Sequence, residues 1–175
     1  SLVNAYMRCG ASRDARTMFD RMPEKNVVTW TALITGYTLN SQPVAALEVF
    51  VEMLEDGRYP SHFTLGATLS ACSASENVGL GKQVHGYTIK YGAESITSIG
   101  NSLCRLYTKS GSLESAMRTF RRVPDKNVIT WTTMISACAE DENFVELGLT
   151  LFVDMLMDGV MPNEFTLTSV MSLCG

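Results

Sequence analysis

The sequence carries no surplus of positive charge. It has 14 lysines and arginines against 18 aspartates and glutamates, a formal net charge of -4. A polyanion would therefore not be held by bulk attraction, and any nucleic-acid binding needs a local basic track. Long apolar runs are missing too: none approaches the roughly 18 residues needed to cross a bilayer, so no membrane partner is expected. Residues 1–25 lack the basic, apolar, small-residue order of a secretory signal. The cysteines are few, odd in number and widely spaced (Cys9, Cys72, Cys104, Cys138, Cys174), with no CxxC pair. That excludes a disulfide framework or a zinc site and predicts small buried residues in a reducing compartment. The two histidines, His62 and His85, have no Cys, Ser or carboxylate at a recurring catalytic spacing, and no HxE with CxxC marks a deaminase. Glycine-rich phosphate loops are also absent. No enzyme, cofactor or metal is expected of this chain.

What is present is repetition. VVTWTALI at 27–34 returns as VITWTTMI at 128–135, 101 residues later. Laying Gly10–Gly36 on Gly111–Ala137 without a gap gives 12 identities in 27 positions, among them Phe19 with Phe120, Pro23 with Pro124, Asn26 with Asn127 and Trp30 with Trp131. Such self-similarity marks a repeat array. The interval divides into units at 27–61, 62–96 and 97–127, followed by 128–163; residues 1–26 form a partial unit and 164–175 open another. The endings MLEDGRYPS and MLMDGVMPN fix the phase, and each is followed by x-Phe-Thr-Leu.

Within a unit, apolar residues recur near the 3.6 period twice, with a break between. Trp30, Leu33, Ile34 and Tyr37 share one helical face; Ala46, Phe50, Met53 and Leu54 share the next. The breaks hold chain-reversing residues, including Asn40-Ser41-Gln42-Pro43, Asp56-Gly57 and Ser110-Gly111-Ser112. Each unit is thus predicted to be a helix hairpin. A lone hairpin buries its apolar face poorly, so the expected fold is all-α, an α-solenoid of stacked antiparallel hairpins.

The period of 35, VVTW opening the first helix, ALEVFVEM in the second and DGxxP at the end resemble the pentatricopeptide repeat family, and the alternation of lengths resembles its plant PLS subclass. On that resemblance 27–61 and 128–163 are P-type units. The unit 62–96 is L-type (LSAC at 69–72, LGKQVHGYTIKYG at 80–92), and 97–127 is S-type (GNSLCRLYTKSGSLESA, RVPDKN). Residues 1–26 match the S pattern and 164–175 open an L-type unit.

The family implies a superhelix that binds single-stranded organellar RNA, one base per repeat, read by the fifth and last residues of a unit. Carried over, the pairs are Thr31 with Ser61, Asn101 with Asn127, and Thr132 with Asn163. Family preference implies a purine, weakly, at the first, a pyrimidine with cytosine ahead of uracil at the second, and adenine at the third. The L-type unit has Gly66 and Ile96 there and should read nothing. Thr168 opens a pair and Asn26 closes one without their partners. Second residues should flank the base, which assigns Val28, Phe63, Ile129 and Phe165; Ser98 departs from this apolar pattern. Arg8, Arg105 and Lys109 on first helices are candidate phosphate contacts, where the P-type units carry Leu39 and Glu140. Arg13, Arg16, Arg21, Arg118, Arg121 and Arg122 belong to second helices and are expected at the surface.

The resemblance further implies the recognition part of a plant mitochondrial or chloroplast C-to-U RNA editing factor. Multiple organellar RNA editing factor proteins would dock through the L-type unit. The competing expectation is a protein-interaction scaffold with little RNA affinity, which the net charge favours.

Overall fold

Five of the long helices start on a side chain that caps them. Asn26, Ser61, Asn77, Asn127 and Asn163 each accept the backbone N–H three residues on, at 2.9–3.2 Å. Each thereby satisfies a donor that the first turn would leave orphaned. The computed structural model describes residues 2–175, and among them every regular element is helical. In order these are α1 (Leu2–Arg8), α2 (Ser12–Asp20), α3 (Val27–Leu39), α4 (Pro43–Glu55), α5 (His62–Ala74), α6 (Val78–Lys90), α7 (Thr97–Lys109), α8 (Leu113–Arg122), α9 (Val128–Cys138), α10 (Val145–Met157) and α11 (Glu164–Cys174). Short 3-10 turns occupy Ala93–Ser95 and Glu142–Phe144.

Two compact units divide the chain, Ser1–Tyr91 and Gly92–Gly175. In the first, α1 packs on α3 and α3 on α5, while α2, α4 and α6 pair back onto them as the second arms of hairpins. In the second, α7, α9 and α11 pack in the same succession, with α8 and α10 as second arms. The core of each unit is the apolar stripe that one hairpin offers the next. Phe19, Leu33, Ile34, Phe50, Met53, Leu65 and Leu69 are fully buried in the first unit, and Ile99, Leu103, Leu106, Met134 and Ile135 in the second.

The repeated sequence builds the same contacts twice. Phe19 meets Trp30 edge-on at 4.6 Å and Phe120 meets Trp131 at 4.9 Å. A lysine covers each phenylalanine, Lys25 at 5.4 Å and Lys126 at 5.1 Å. Helices α4 and α10 stop identically. Gly57 and Gly159 take φ of +69° and +74°, and the N–H of the next residue returns to Met53 or Met155 at 3.1 and 3.0 Å. That left-handed turn suits glycine because no Cβ meets the carbonyl.

Two expectations are corrected. Arg16 is not a loose surface charge: its two terminal nitrogens clamp Glu52 at 3.1 and 2.9 Å, tying α2 to α4, while its Nε reaches Asp20. Nor are all the cysteines buried. Cys72, Cys104 and Cys138 are, but Cys9 lies in the turn after α1, Cys174 ends α11, and both are exposed.

Burial pushes the Cys72 and Cys138 thiols up to about 11 and the Cys104 thiol up to about 12. At pH 8 these three remain protonated and shielded, so iodoacetamide should modify two cysteines in the folded chain and five in urea, as mass spectrometry would count. Gly159→Ala places a Cβ in open space, so its cost is backbone strain alone. It should lower stability by about 1 kcal/mol, read from the urea midpoint.

Candidate nucleic-acid interface

The three sequence-predicted pairs each span two successive first helices, and in each a buried threonine joins the members. Thr31 of α3 lies 2.7 Å from Thr64 Oγ1, which lies 2.9 Å from Ser61 Oγ. Thr130 Oγ1 donates to Asn101 Oδ1 of α7 at 2.6 Å and lies 3.1 Å from Asn127 Oδ1, while Asn101 Nδ2 reaches Asn127 Oδ1 at 3.3 Å. Thr132 of α9 lies 2.6 Å from Thr166 Oγ1, which donates to Asn163 Oδ1 at 2.9 Å. Thr64, Thr130 and Thr166 have no accessible surface. Thr31, Asn101 and Thr132 are half-buried, Asn127 and Asn163 exposed.

The joining threonines are residues that sequence reasoning missed. Their signal was present: Ser61-x-x-Thr64, Asn127-x-x-Thr130 and Asn163-x-x-Thr166 are capping boxes, with the threonine side chain also accepting the cap's own N–H. The remaining pair positions differ. Ile96 precedes α7 without any side-chain cap. Gly66 sits in α5 without a side chain to offer. Asn26 caps α3, and Thr168 turns back on Glu164 O at 2.8 Å.

In the second unit these groups share one groove of about 580 Å³. Thr132 and Asn163 lie in it with Ile129 and Phe165 and with Arg105 and Lys109 from α7; Glu140 lines it as well. Asn101 is joined to it through the α7–α9 step but is not among the lining residues. The apolar members of the set are out in solvent: Val28 is 71% exposed, Phe63 70%, Ile129 58% and Phe165 67%. Ser98 is exposed on α7, and Arg8 is the exposed last residue of α1. No helix among the described residues is long and apolar enough to cross a membrane, and no cluster of metal ligands occurs among them.

A groove with exposed apolar side chains, paired hydroxyl and amide groups and two cations has the parts that flat polar rings on an anionic backbone require. Comparison with known proteins is decisive on lineage. A model described as the PPR repeat family matches residues 25–74 and 126–175, and one described as PPR repeat matches 1–27. The chain belongs to the pentatricopeptide repeat family.

Its relatives in Arabidopsis thaliana include a pentatricopeptide repeat-containing protein 40% identical over 174 residues, covering 99% of this chain and 24% of the relative. A chloroplastic relative is 36% identical over 173 residues, with 99% and 21% covered, and a mitochondrial one is 36% identical over 174 residues, with 99% and 27% covered. This chain therefore spans about a quarter of the length of those proteins. The pentatricopeptide repeat protein PPR10, solved in complex with an 18-nt psaJ RNA element, matches 98% of this chain and 26% of its own at TM-score 0.85 and 19% identity; PPR10 from maize also matches at 0.72 and 22%. That likeness shows the fold, the α-solenoid expected from the sequence.

Exposed phenylalanines contribute little to folding. Phe63→Ala and Phe165→Ala should each shift unfolding free energy by under about 0.5 kcal/mol, whereas Phe50→Ala in the core should cost about 3–5 kcal/mol in the same urea titration.

Proposed function

We propose that this pentatricopeptide repeat array binds single-stranded RNA sequence-selectively, as the recognition part of a plant organellar C-to-U editing factor. The observation that carries it is the arrangement at the second unit's groove. A paired hydroxyl and amide (Thr132, Asn163) line it together with two exposed apolar side chains (Ile129, Phe165) and with Arg105 and Lys109. A base slipped between the apolar groups would be sandwiched and its edge inspected, while the cations meet the backbone. Thr31 with Ser61 and Asn101 with Asn127 are assigned the same role, with Val28 and Phe63 flanking and Arg8 as a further phosphate contact.

The editing role and the PLS assignment of units rest on the sequence resemblance described above, with P-type units at 27–61 and 128–163, L-type at 62–96 and S-type at 97–127. A mitochondrial or chloroplast location fits the relatives so named. On the same resemblance the L-type unit is the surface offered to multiple organellar RNA editing factor proteins. One observation favours the scaffold alternative: Glu140 lines the groove, in a chain of net charge -4.

Fluorescence anisotropy with single-stranded RNA across a salt series separates the two. A reader should weaken as salt rises, and Lys109→Ala should lower the logarithmic salt slope by roughly 1 for every RNA sequence. Asn163→Ala should instead cost about fivefold only for RNAs that present the preferred base at that register. Salt-independent, base-indifferent binding would leave the scaffold role.

A further inference from the structure

We propose that the threonine at the third position of the following repeat, Thr166 at the Asn163 site and Thr130 at the Asn127 site, sets which way the base-facing groups point their hydrogens. It thereby acts as a specificity-positioning residue without touching the RNA. This inference rests on the base-reading role proposed above.

The hydrogen bonds leave little choice at Asn163. Thr166 backbone N–H can only donate, so the amide atom 2.9 Å from it is oxygen. Thr166 Oγ1 stands 2.9 Å from that same Oδ1, a contact that needs a hydrogen, and the carbonyl oxygen has none. The single Thr166 hydroxyl proton is thus committed to Asn163. Across the 2.6 Å contact Thr132 must then be the donor. Facing outward are a Thr132 lone pair and the Asn163 Nδ2 hydrogens, one acceptor beside one donor. That pair complements a ring nitrogen next to an exocyclic amine, as on adenine or cytosine. With Asn163 set against the ring nitrogen and Thr132 against the exocyclic group, it opposes guanine and uracil, whose ring N–H and carbonyl run the other way.

At Asn127 the same device gives a different face. Oδ1 of Asn127 receives the Ile129 and Thr130 N–H groups at 3.1 Å each, and Oδ1 of Asn101 receives the Thr130 hydroxyl at 2.6 Å. Both amides turn oxygen inward; one Asn101 Nδ2 hydrogen is spent on Asn127 Oδ1 at 3.3 Å, and the other faces outward with the Asn127 Nδ2 hydrogens, which suits the adjacent O2 and N3 acceptors of cytosine. The Ser61 site runs in the opposite sense. Thr31 Oγ1 stands 2.7 Å from Val27 O, a carbonyl that can only accept, so the Thr31 proton is committed there. Thr64 must then donate to Thr31 and Ser61 to Thr64, which leaves hydroxyl lone pairs rather than hydrogens facing outward.

The test selects bound sequences from a randomised single-stranded RNA pool, using the full chain. Thr166→Val keeps the shape, removes the hydroxyl and frees the Thr132 proton to turn outward. Preference for an amine-bearing base should fall about fivefold at the Thr132–Asn163 position alone, with the Asn101–Asn127 position unchanged. Thr166→Ser should restore it. An unchanged preference in Thr166→Val, or an equal loss at every position, overturns the proposal, the latter assigning Thr166 a purely structural role. Asn163→Asp, which replaces the outward donor by an acceptor, tests the base reading itself. If Asn163→Asp shifts the preference and Thr166→Val does not, only the polarity inference falls; if neither does, both fall.

Discussion

A hairpin of two amphipathic helices cannot bury its own apolar face. Everything in this chain follows from that deficit, because each hairpin's stripe is covered only when the next one lies against it. In the first unit Phe19 of α2 reaches Trp30 of α3, and in the second Phe120 of α8 reaches Trp131 of α9. Apolar packing of successive first helices, at the α3–α5, α7–α9 and α9–α11 steps alike, brings the fifth residue of one first helix within reach of the start of the following one, and the polar triads form there.

Much of this was legible in the residues. The 101-residue return of sequence announced an array, and the 3.6 period with glycine and proline punctuation announced helix hairpins. Arg16 was not legible, since a basic residue on a polar helix face reads as solvated; only the fold brings Glu52, 36 positions away, to its guanidinium. The extra residue between Val128 and Asn163 was countable but its accommodation was not. Helix α9 stops at Cys138, and a 3-10 turn at Glu142–Phe144, held by Asp141 Oδ1 on the Asn143 N–H at 2.9 Å, takes up the slack before α10.

The polar positions were half legible. Recurrence picked out Thr31, Asn101 and Thr132 with their C-terminal partners. A threonine stands at the third position of a unit at Thr29, Thr64, Thr130 and Thr166, and a capping box accounts for the last three locally. What the sequence could not reveal is that its hydroxyl faces two helices at once. At Asn26 the Thr29 hydroxyl donates to the cap's backbone carbonyl at 2.8 Å, so only the asparagine's half of the motif is made there.

Each polar triad runs from the fifth residue of one hairpin to the third residue of the next: 31 to 64, 101 to 130, 132 to 166. The segment that folds and the segment that forms a triad are therefore out of phase. Genetic exchange with a crossover in the loop between Glu55 and Ser61 would assemble a triad from two parents, the fifth residue from one and the other two members from the second. A crossover at the fourth residue of a first helix, such as Leu65 or Trp131, passes between triads and transmits every one intact. Shuffling of such arrays, whether by evolution or by an engineer, has its natural joints one turn inside the helix.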